Sequence, residues 1–86
     1  IFKPHQFDFS GVDVTVRIYN MEGTEVNLLS SSFSEPAVTS GSAQISWDGT
    51  DSNGKILPNG LYPYKISFSG KNGGYRETAQ KLMIIR

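Results

Sequence analysis

Residues 12–19 read VDVTVRIY, and this stretch decides the fold class. Apolar residues occupy every second position from Val12 to Ile18, and polar residues lie between them. Alternation with a period of two puts the apolar side chains of a β-strand on one face and the polar ones on the other. The stretch is therefore predicted to be a strand with one face buried and one face in water.

The same alternation returns along the rest of the chain. Further strands are predicted within residues 26–33, 43–47, 62–68 and 75–85, and Ala43, Ile45 and Trp47 share one strand face. Residues 30–42 are polar and rich in breakers, which indicates a long connection. Turn signals separate the strands at 20–23, 48–54, 58–60 and 71–74.

No helix of useful length is predicted, and the turn signals recur at intervals of roughly ten residues. This pattern is typical of an all-β fold, an antiparallel immunoglobulin- or fibronectin-like β-sandwich of about seven strands. Pro63 lacks an N–H group, so its strand is expected at a sheet edge or at a bulge. The last strand is apolar on both faces around residues 82–85, which favours a central position in its sheet.

Length and charge narrow the class of protein. The chain has 86 residues, and residues 1–86 are predicted to form a single domain. Eight basic residues balance eight acidic ones, so no strong positive field exists to attract nucleic acid or anionic lipid. The longest apolar runs fall far short of the roughly 20 residues that cross a bilayer. The chain starts with Ile1 and no signal peptide opens it, so we expect a mature fragment or an excised domain, namely the C-terminal fragment of a larger protein.

The sequence contains few residues that could form a catalytic or metal-binding site. There is no cysteine and one histidine, His5, which we expect to be a solvated loop residue. That inventory argues against a structural zinc site. No catalytic residue, cofactor or metal ligand is therefore assigned, although the parent protein could be an enzyme such as a peptidase.

The acidic loop at residues 48–54 superficially looks like a calcium loop. Aligning Gly54 with the invariant glycine of an EF-hand places Gly49 and Gly60 at the two positions that need carboxylates, so that assignment fails. A looser calcium site built on Asp48 and Asp51 stays open. The favoured interpretation is that these carboxylates shape a tight turn.

The aromatic residues allow two interpretations. Tyr62, Tyr64 and Tyr75 could form a platform on which sugar rings stack. Tyr62 and Tyr64, however, share a strand face with Ile66, which is the spacing of core residues. We expect these two tyrosines in the core, leave Tyr75 open, and expect Trp47 to be a buried anchor.

Residues 47–64 also resemble a known family. The motif W-D-G-x-D-x-x-G, followed by G-x-Y-x-Y, is carried by Trp47, Asp48, Gly49, Asp51, Gly54, Gly60, Tyr62 and Tyr64. This pattern is similar to that of the immunoglobulin-like domain first described in the flagellar hook-capping protein. The hairpin at residues 14–26 and the closing strand at residues 81–86 resemble the same family.

The resemblance implies a non-catalytic role. Such domains recur at the carboxyl ends of exported bacterial proteins, including substrates and the cell-surface sortase of the type IX secretion system. It implies a C-terminal accessory or secretion-sorting module, located at the cell surface or outside the cell. Its partners would be neighbouring domains of the same chain and the outer-membrane secretion machinery. A docking strand is predicted at Lys81, Leu82, Met83, Ile84, Ile85 and Arg86.

Three other functions stay open. A structural spacer of a multidomain cell-surface protein is the first, because similar segments occur in cell-envelope subtilases. A carbohydrate-binding module is the second, and a subunit of the flagellar hook scaffold is the third. The gliding-associated subtype of the family is disfavoured, since it typically carries Arg-Trp-Gly where this chain has Met21-Glu22-Gly23.

Overall fold

The structure is a computed structural model that describes residues 4–7, 12–33, 35–40, 44–70 and 74–86. The elements in chain order are β1 (His5–Gln6), β2 (Asp13–Tyr19), β3 (Glu25–Ser32), α1 (Glu35–Ser40), β4 (Ser46–Trp47), β5 (Gly60–Ser69) and β6 (Tyr75–Ile84). The described residues thus contain six strands, where the sequence predicted about seven. The six-residue helix α1 lies within the stretch predicted as a connection.

The strands form two antiparallel sheets. A four-stranded sheet has the order β3-β2-β5-β6, and a two-stranded sheet pairs β1 with β4. The β2–β3 ladder runs without interruption from the Asp13–Ser32 pair to the Ile18–Asn27 pair, where its register shifts. The all-β prediction with antiparallel sheets is confirmed.

One hydrophobic core joins the two sheets. The alternating residues of β2 that the sequence assigned to the buried face, Val14, Val16 and Ile18, are at most 1% exposed. Phe7, Ile45 and Trp47 contribute from the side of the small sheet. Burial of such side chains stabilises a fold by about 1.5–3 kcal/mol each, so the core dominates the stability of this small domain.

Two expectations about strand position were wrong. Among the described strands, β6 pairs with β5 alone and lies at the edge of the large sheet, although its sequence suggested a centre. β5, which contains Pro63, is a central strand between β2 and β6. The β2–β5 ladder ends at the Ile18–Tyr64 pair, so Pro63 lies one residue beyond it.

The direction of the backbone groups explains why β5 tolerates this proline. The carbonyl oxygen of Ser69 accepts a hydrogen bond of 2.8 Å from the amide of Val12, so Ser69 directs its polar groups towards the β2 side. Backbone groups alternate in direction along a strand, and Pro63 therefore faces the same side. Its missing N–H falls where no β2 residue pairs with it.

Some predicted features lie outside the described residues. These are Ala43 in the strand of Trp47, and positions 71–73 of the turn that precedes β6. The residues on either side of that turn are described, and the amide of Gly70 donates a hydrogen bond of 2.7 Å to the carbonyl oxygen of Gly74.

Candidate functional site

The tryptophan of the 47–64 motif is fixed at both its ring and its N–H group. Trp47 is 1% exposed, and its ring meets that of Tyr62 edge-on at a centroid distance of 5.8 Å. Its Nε1 donates to the carbonyl oxygen of Thr50 at 2.8 Å, and Nδ2 of Asn27 donates to the same oxygen at 2.8 Å. The prediction that Trp47 is a buried anchor is confirmed. Its hydrogen bond to Thr50 also fixes the start of the turn that follows.

Asp51 shapes that turn with a single oxygen atom. Its Oδ1 accepts hydrogen bonds from the backbone amides of Asn53 and Lys55, each at 2.9 Å. Asp48 accepts a bond of 2.6 Å from the hydroxyl of Thr50. An aspartate that binds backbone amides two and four residues ahead fixes a turn locally. The turn interpretation is confirmed for Asp51, whereas Asp48 binds a side-chain hydroxyl.

Two glycines of the motif occupy the left-handed backbone region. Gly49 has φ of 82° and Gly54 has φ of 80°. Residues other than glycine adopt these backbone angles only at a cost in free energy. Gly60, the third motif glycine, begins β5 opposite Ile84. The amide of Leu57 donates to the carbonyl oxygen of Gly49 at 2.9 Å, so the loop closes back on itself.

The motif tyrosines belong to the core. Tyr62 and Tyr64 are 5% and 7% exposed, and the hydroxyl of Tyr62 donates to the carbonyl oxygen of Pro58 at 2.7 Å. Tyr75 instead lies exposed on β6, where its hydroxyl donates to Glu77 at 3.0 Å. The three tyrosines therefore form no common stacking platform. His5 is half-buried in β1, with its ring centroid 4.8 Å from that of Phe7, so the solvated-loop expectation was wrong.

Arg86, predicted as part of a docking strand, is bound by residues 49–59, which we call the motif loop. Its guanidinium donates to the carbonyl oxygens of Leu57 and Gly49, the latter at 3.1 Å. Its backbone amide donates to Oδ1 of Asn59 at 3.0 Å. These contacts fix the end of the predicted docking strand against residues 49–59. Sequence reasoning missed this role, because nothing in the motif shows which distant cation faces its carbonyl groups.

The rest of the predicted docking strand has a buried side and an exposed side. Leu82 and Ile84 are 7% and 0% exposed and belong to the core. Lys81, Met83 and Ile85 are exposed and alternate with them. A partner would therefore contact three side chains of this segment instead of six.

The backbone of β6 has one satisfied side and one open side. The amide of Gly70 bonds to Gly74, so even-numbered residues of β5 direct their polar groups towards β6, opposite to Ser69. Their partners in the register are even-numbered residues of β6, such as Leu82 opposite Tyr62. Odd-numbered residues of β6 consequently direct N–H and C=O away from β5. Within the described ranges, no strand pairs with that side of β6.

A groove lies beside this open edge on the outer face of the large sheet. It has a volume of about 210 Å³ and is lined by Tyr19, Pro63, Tyr64, Lys65, Ala79, Gln80 and Lys81. Its lining is mainly apolar, and Lys65 and Lys81 are the two lining residues with charged side chains. In the described part of the chain, the ion pair that the structure forms joins Arg17 to Glu25 and involves neither lysine. We call this the Lys65–Lys81 groove.

Comparison with known proteins agrees with this geometry. Residues 6–74 match the family described as the FlgD Ig-like domain. The chain belongs to this family. Its members are non-enzymatic structural domains, and among the described residues no three His, Cys, Asp or Glu side chains come together as metal ligands. The helix in the described part is too short to cross a membrane.

A solved structure of FlgD is also similar to this chain. The structure of FlgD from P. aeruginosa matches with a TM-score of 0.59 and 26% sequence identity over 95% of this chain. FlgD is a flagellar hook-capping protein. The chain spans 60% of the length of that FlgD chain. No curated protein matches the sequence of this chain.

Proposed function

We propose that the chain is a non-catalytic accessory or secretion-sorting module of an exported bacterial protein, and that it acts by adding a strand of a partner to the open edge of β6. The single observation that carries this proposal is the open backbone side of a ten-residue strand, Tyr75–Ile84. A strand of that length offers N–H and C=O groups in a regular row, which is the basis of strand addition between proteins.

The opposite edge of the sheet is less accessible. The amide of Ser52 in the motif loop donates to the carbonyl oxygen of Val26 in β3 at 3.0 Å. The side chain of Asn27 binds the same loop at Thr50. The loop therefore covers the start of β3, whereas β6 is exposed from Tyr75 to Lys81 on both faces. This difference favours β6 as the docking edge.

The Lys65–Lys81 groove supplies a preference for the partner strand. Lys81 and Ala79 line the groove with their side chains and lie on the open edge with their backbones. A strand added there places its alternate side chains on the same outer face, beside these residues. The two ammonium groups favour an acidic side chain opposite Lys81, and the apolar floor favours an aliphatic or aromatic neighbour.

The test is routing of a passenger protein. The chain is fused to a passenger in a bacterial host that has the type IX secretion machinery, and the passenger at the cell surface is measured. We expect the intact chain to route the passenger outward and Lys81→Glu to reduce routing, since the substitution reverses the charge at the open edge. Retention of the passenger inside the cell by the intact fusion would overturn the sorting role.

A matched control separates docking from general charge effects. Lys55 is exposed in the motif loop, outside β6, and its ammonium group forms no hydrogen bond in the described structure. Lys55→Glu makes the same change in net charge as Lys81→Glu. Equal loss of routing in both variants would show that net charge, and not the edge of β6, is what matters.

A second candidate is a structural part of flagellar hook assembly. The match to FlgD over 95% of the chain favours it. The test replaces the Ig-like domain of FlgD with this chain in a motile bacterium and measures hook formation and swimming. Recovery of both would favour this candidate, and a hookless phenotype with a stable hybrid protein would exclude it.

A further inference from the structure

The residues on the open edge of β6 have a sequence that is complementary to itself. Those that direct their backbone groups outward are Tyr75, Glu77, Ala79, Lys81 and Met83. The acidic residue Glu77 lies two positions before Ala79, and the basic residue Lys81 lies two positions after it. Large apolar side chains lie four positions away on both sides, and both are more than half exposed.

We propose that the strand added to β6 is β6 of a second copy of this chain, antiparallel, with Ala79 facing Ala79 across a two-fold axis. This inference rests on the proposed docking role of β6 and names its occupant. The two large sheets then form one continuous sheet of eight strands. Each outward-facing pair exchanges two backbone hydrogen bonds, because both of its members direct N–H and C=O towards the interface.

The cross-strand pairs in this arrangement match in charge and in size. Glu77 of each copy faces Lys81 of the other, so two ion pairs form on the outer face of the sheet. The acid preferred by the Lys65–Lys81 groove is then Glu77 of the second copy. Tyr75 faces Met83 of the other copy, and a sulfur atom at the edge of an aromatic ring is a favourable contact. Pairs of these kinds stabilise antiparallel strands.

Other registers lose this match. A two-fold axis at residue 77 places Glu77 opposite Glu77, and an axis at residue 81 places Lys81 opposite Lys81. Axes at residues 78 and 80 leave both charges opposite uncharged side chains. Like charges directly opposite each other destabilise a strand pair, so the axis at Ala79 is favoured.

Association through β6 stops at two copies. A two-fold contact uses the same edge of both partners and closes on itself. The other edge of the large sheet, β3, is covered at Val26 by the amide of Ser52. A dimer is therefore expected rather than a longer series of sheets.

The first experiment measures the mass of the 86-residue chain by sedimentation equilibrium over a range of concentrations. We expect a reversible monomer–dimer equilibrium. Glu77→Lys and Lys81→Glu, each alone, replace two attractive pairs with two repulsive ones and should weaken dimerisation about tenfold or more. The double variant with both substitutions restores opposite charges and should recover most of the affinity.

A mixing experiment tests the register directly. A chain with Glu77→Lys presents two basic residues on its edge, and a chain with Lys81→Glu presents two acidic ones. In the antiparallel register centred on Ala79, a mixture of the two should form heterodimers more tightly than either variant forms homodimers. Ala79→Pro removes an outward-facing N–H and should also weaken the dimer. Melting curves confirm that each variant is folded.

The outcomes separate the two proposals. A chain that stays monomeric at millimolar concentration, or a dimer that neither charge reversal weakens, overturns the self-pairing. If Lys81→Glu still abolishes passenger routing in that case, the docking role stands with a different partner. A dimer that follows the charge rule while the intact fusion fails to route leaves self-pairing intact and overturns the sorting role.

Discussion

Nη2 of Arg86 donates a hydrogen bond of 3.1 Å to the carbonyl oxygen of Gly49, across 37 positions of the sequence. The same guanidinium binds the carbonyl oxygen of Leu57, so one side chain joins both arms of the motif loop to the segment that follows β6. A guanidinium is suited to this role because its donors are arranged as a rigid planar fork. Arg86 is therefore primarily a structural residue.

Replacing Arg86 should destabilise the domain. Arg86→Glu removes two charge-assisted hydrogen bonds and places a carboxylate near two carbonyl oxygens, so we expect a loss of about 1–3 kcal/mol in the free energy of unfolding. Lys81→Glu makes the same change in charge on an exposed side chain and should change stability by less than about 0.5 kcal/mol. Chemical denaturation measures both, and equal stability of the two variants would contradict the anchoring role of Arg86.

Trp47 should report directly on folding, since it is the single tryptophan of the chain. Its burial predicts blue-shifted fluorescence that moves to longer wavelength on unfolding. Trp47→Ala should cost about 3–5 kcal/mol, which is much of the stability of a small domain. Trp47→Phe keeps most of the apolar volume and should cost less. Native emission at the wavelength of free tryptophan in water would contradict this burial.

The motif loop should be stable without calcium because Asp51 already binds two backbone amides. Asp51→Ala removes both hydrogen bonds and should cost about 1–2 kcal/mol, whereas Asp51→Asn keeps an acceptor oxygen and should cost less. Melting curves in millimolar calcium and in chelator should coincide. A ligand at 100 times its dissociation constant would add about 2.7 kcal/mol, so a shift of several degrees with calcium would show that a cation site exists.

The sequence predicted local features better than long-range ones. The alternation in residues 12–19 identified a half-buried strand because strand side chains alternate whatever the neighbouring strands are. The spacing of Tyr62 and Tyr64 placed them in the core for the same reason. The sandwich of about seven strands was only partly matched, since the described residues contain six.

Strand order required information that no single segment carries. The apolar positions Met83 and Ile85 suggested a central strand, but in the structure Met83 is exposed on an edge strand and Ile85 is exposed just after it. Pro63 suggested an edge or a bulge, but its missing N–H falls just beyond the end of a ladder in a central strand. Both interpretations used the composition of one strand, whereas order depends on which neighbours the other strands provide. The contact of Arg86 with Gly49 is of the same long-range kind.

Two glycines provide a matched test of backbone strain. Gly54 has φ of 80°, and a Cβ added there would meet no atom within 4 Å. Its substitution therefore changes the backbone cost with no steric clash from neighbours. A side chain in the left-handed region costs about 1–2 kcal/mol, so Gly54→Ala should destabilise the domain by that amount. Gly54→Asn should cost less, because asparagine tolerates this conformation.

Gly74, directly before β6, is the control for that variant. A Cβ added there also meets nothing within 4 Å, but the backbone of Gly74 is not in the left-handed region. Gly74→Ala should therefore be neutral, or stabilise by about 0.4–1 kcal/mol, because it lowers the entropy of the unfolded chain. The measurement is the free energy of unfolding of both variants in the same denaturant. If Gly54→Ala is as stable as Gly74→Ala, then the left-handed conformation of Gly54 does not set the geometry of the motif loop.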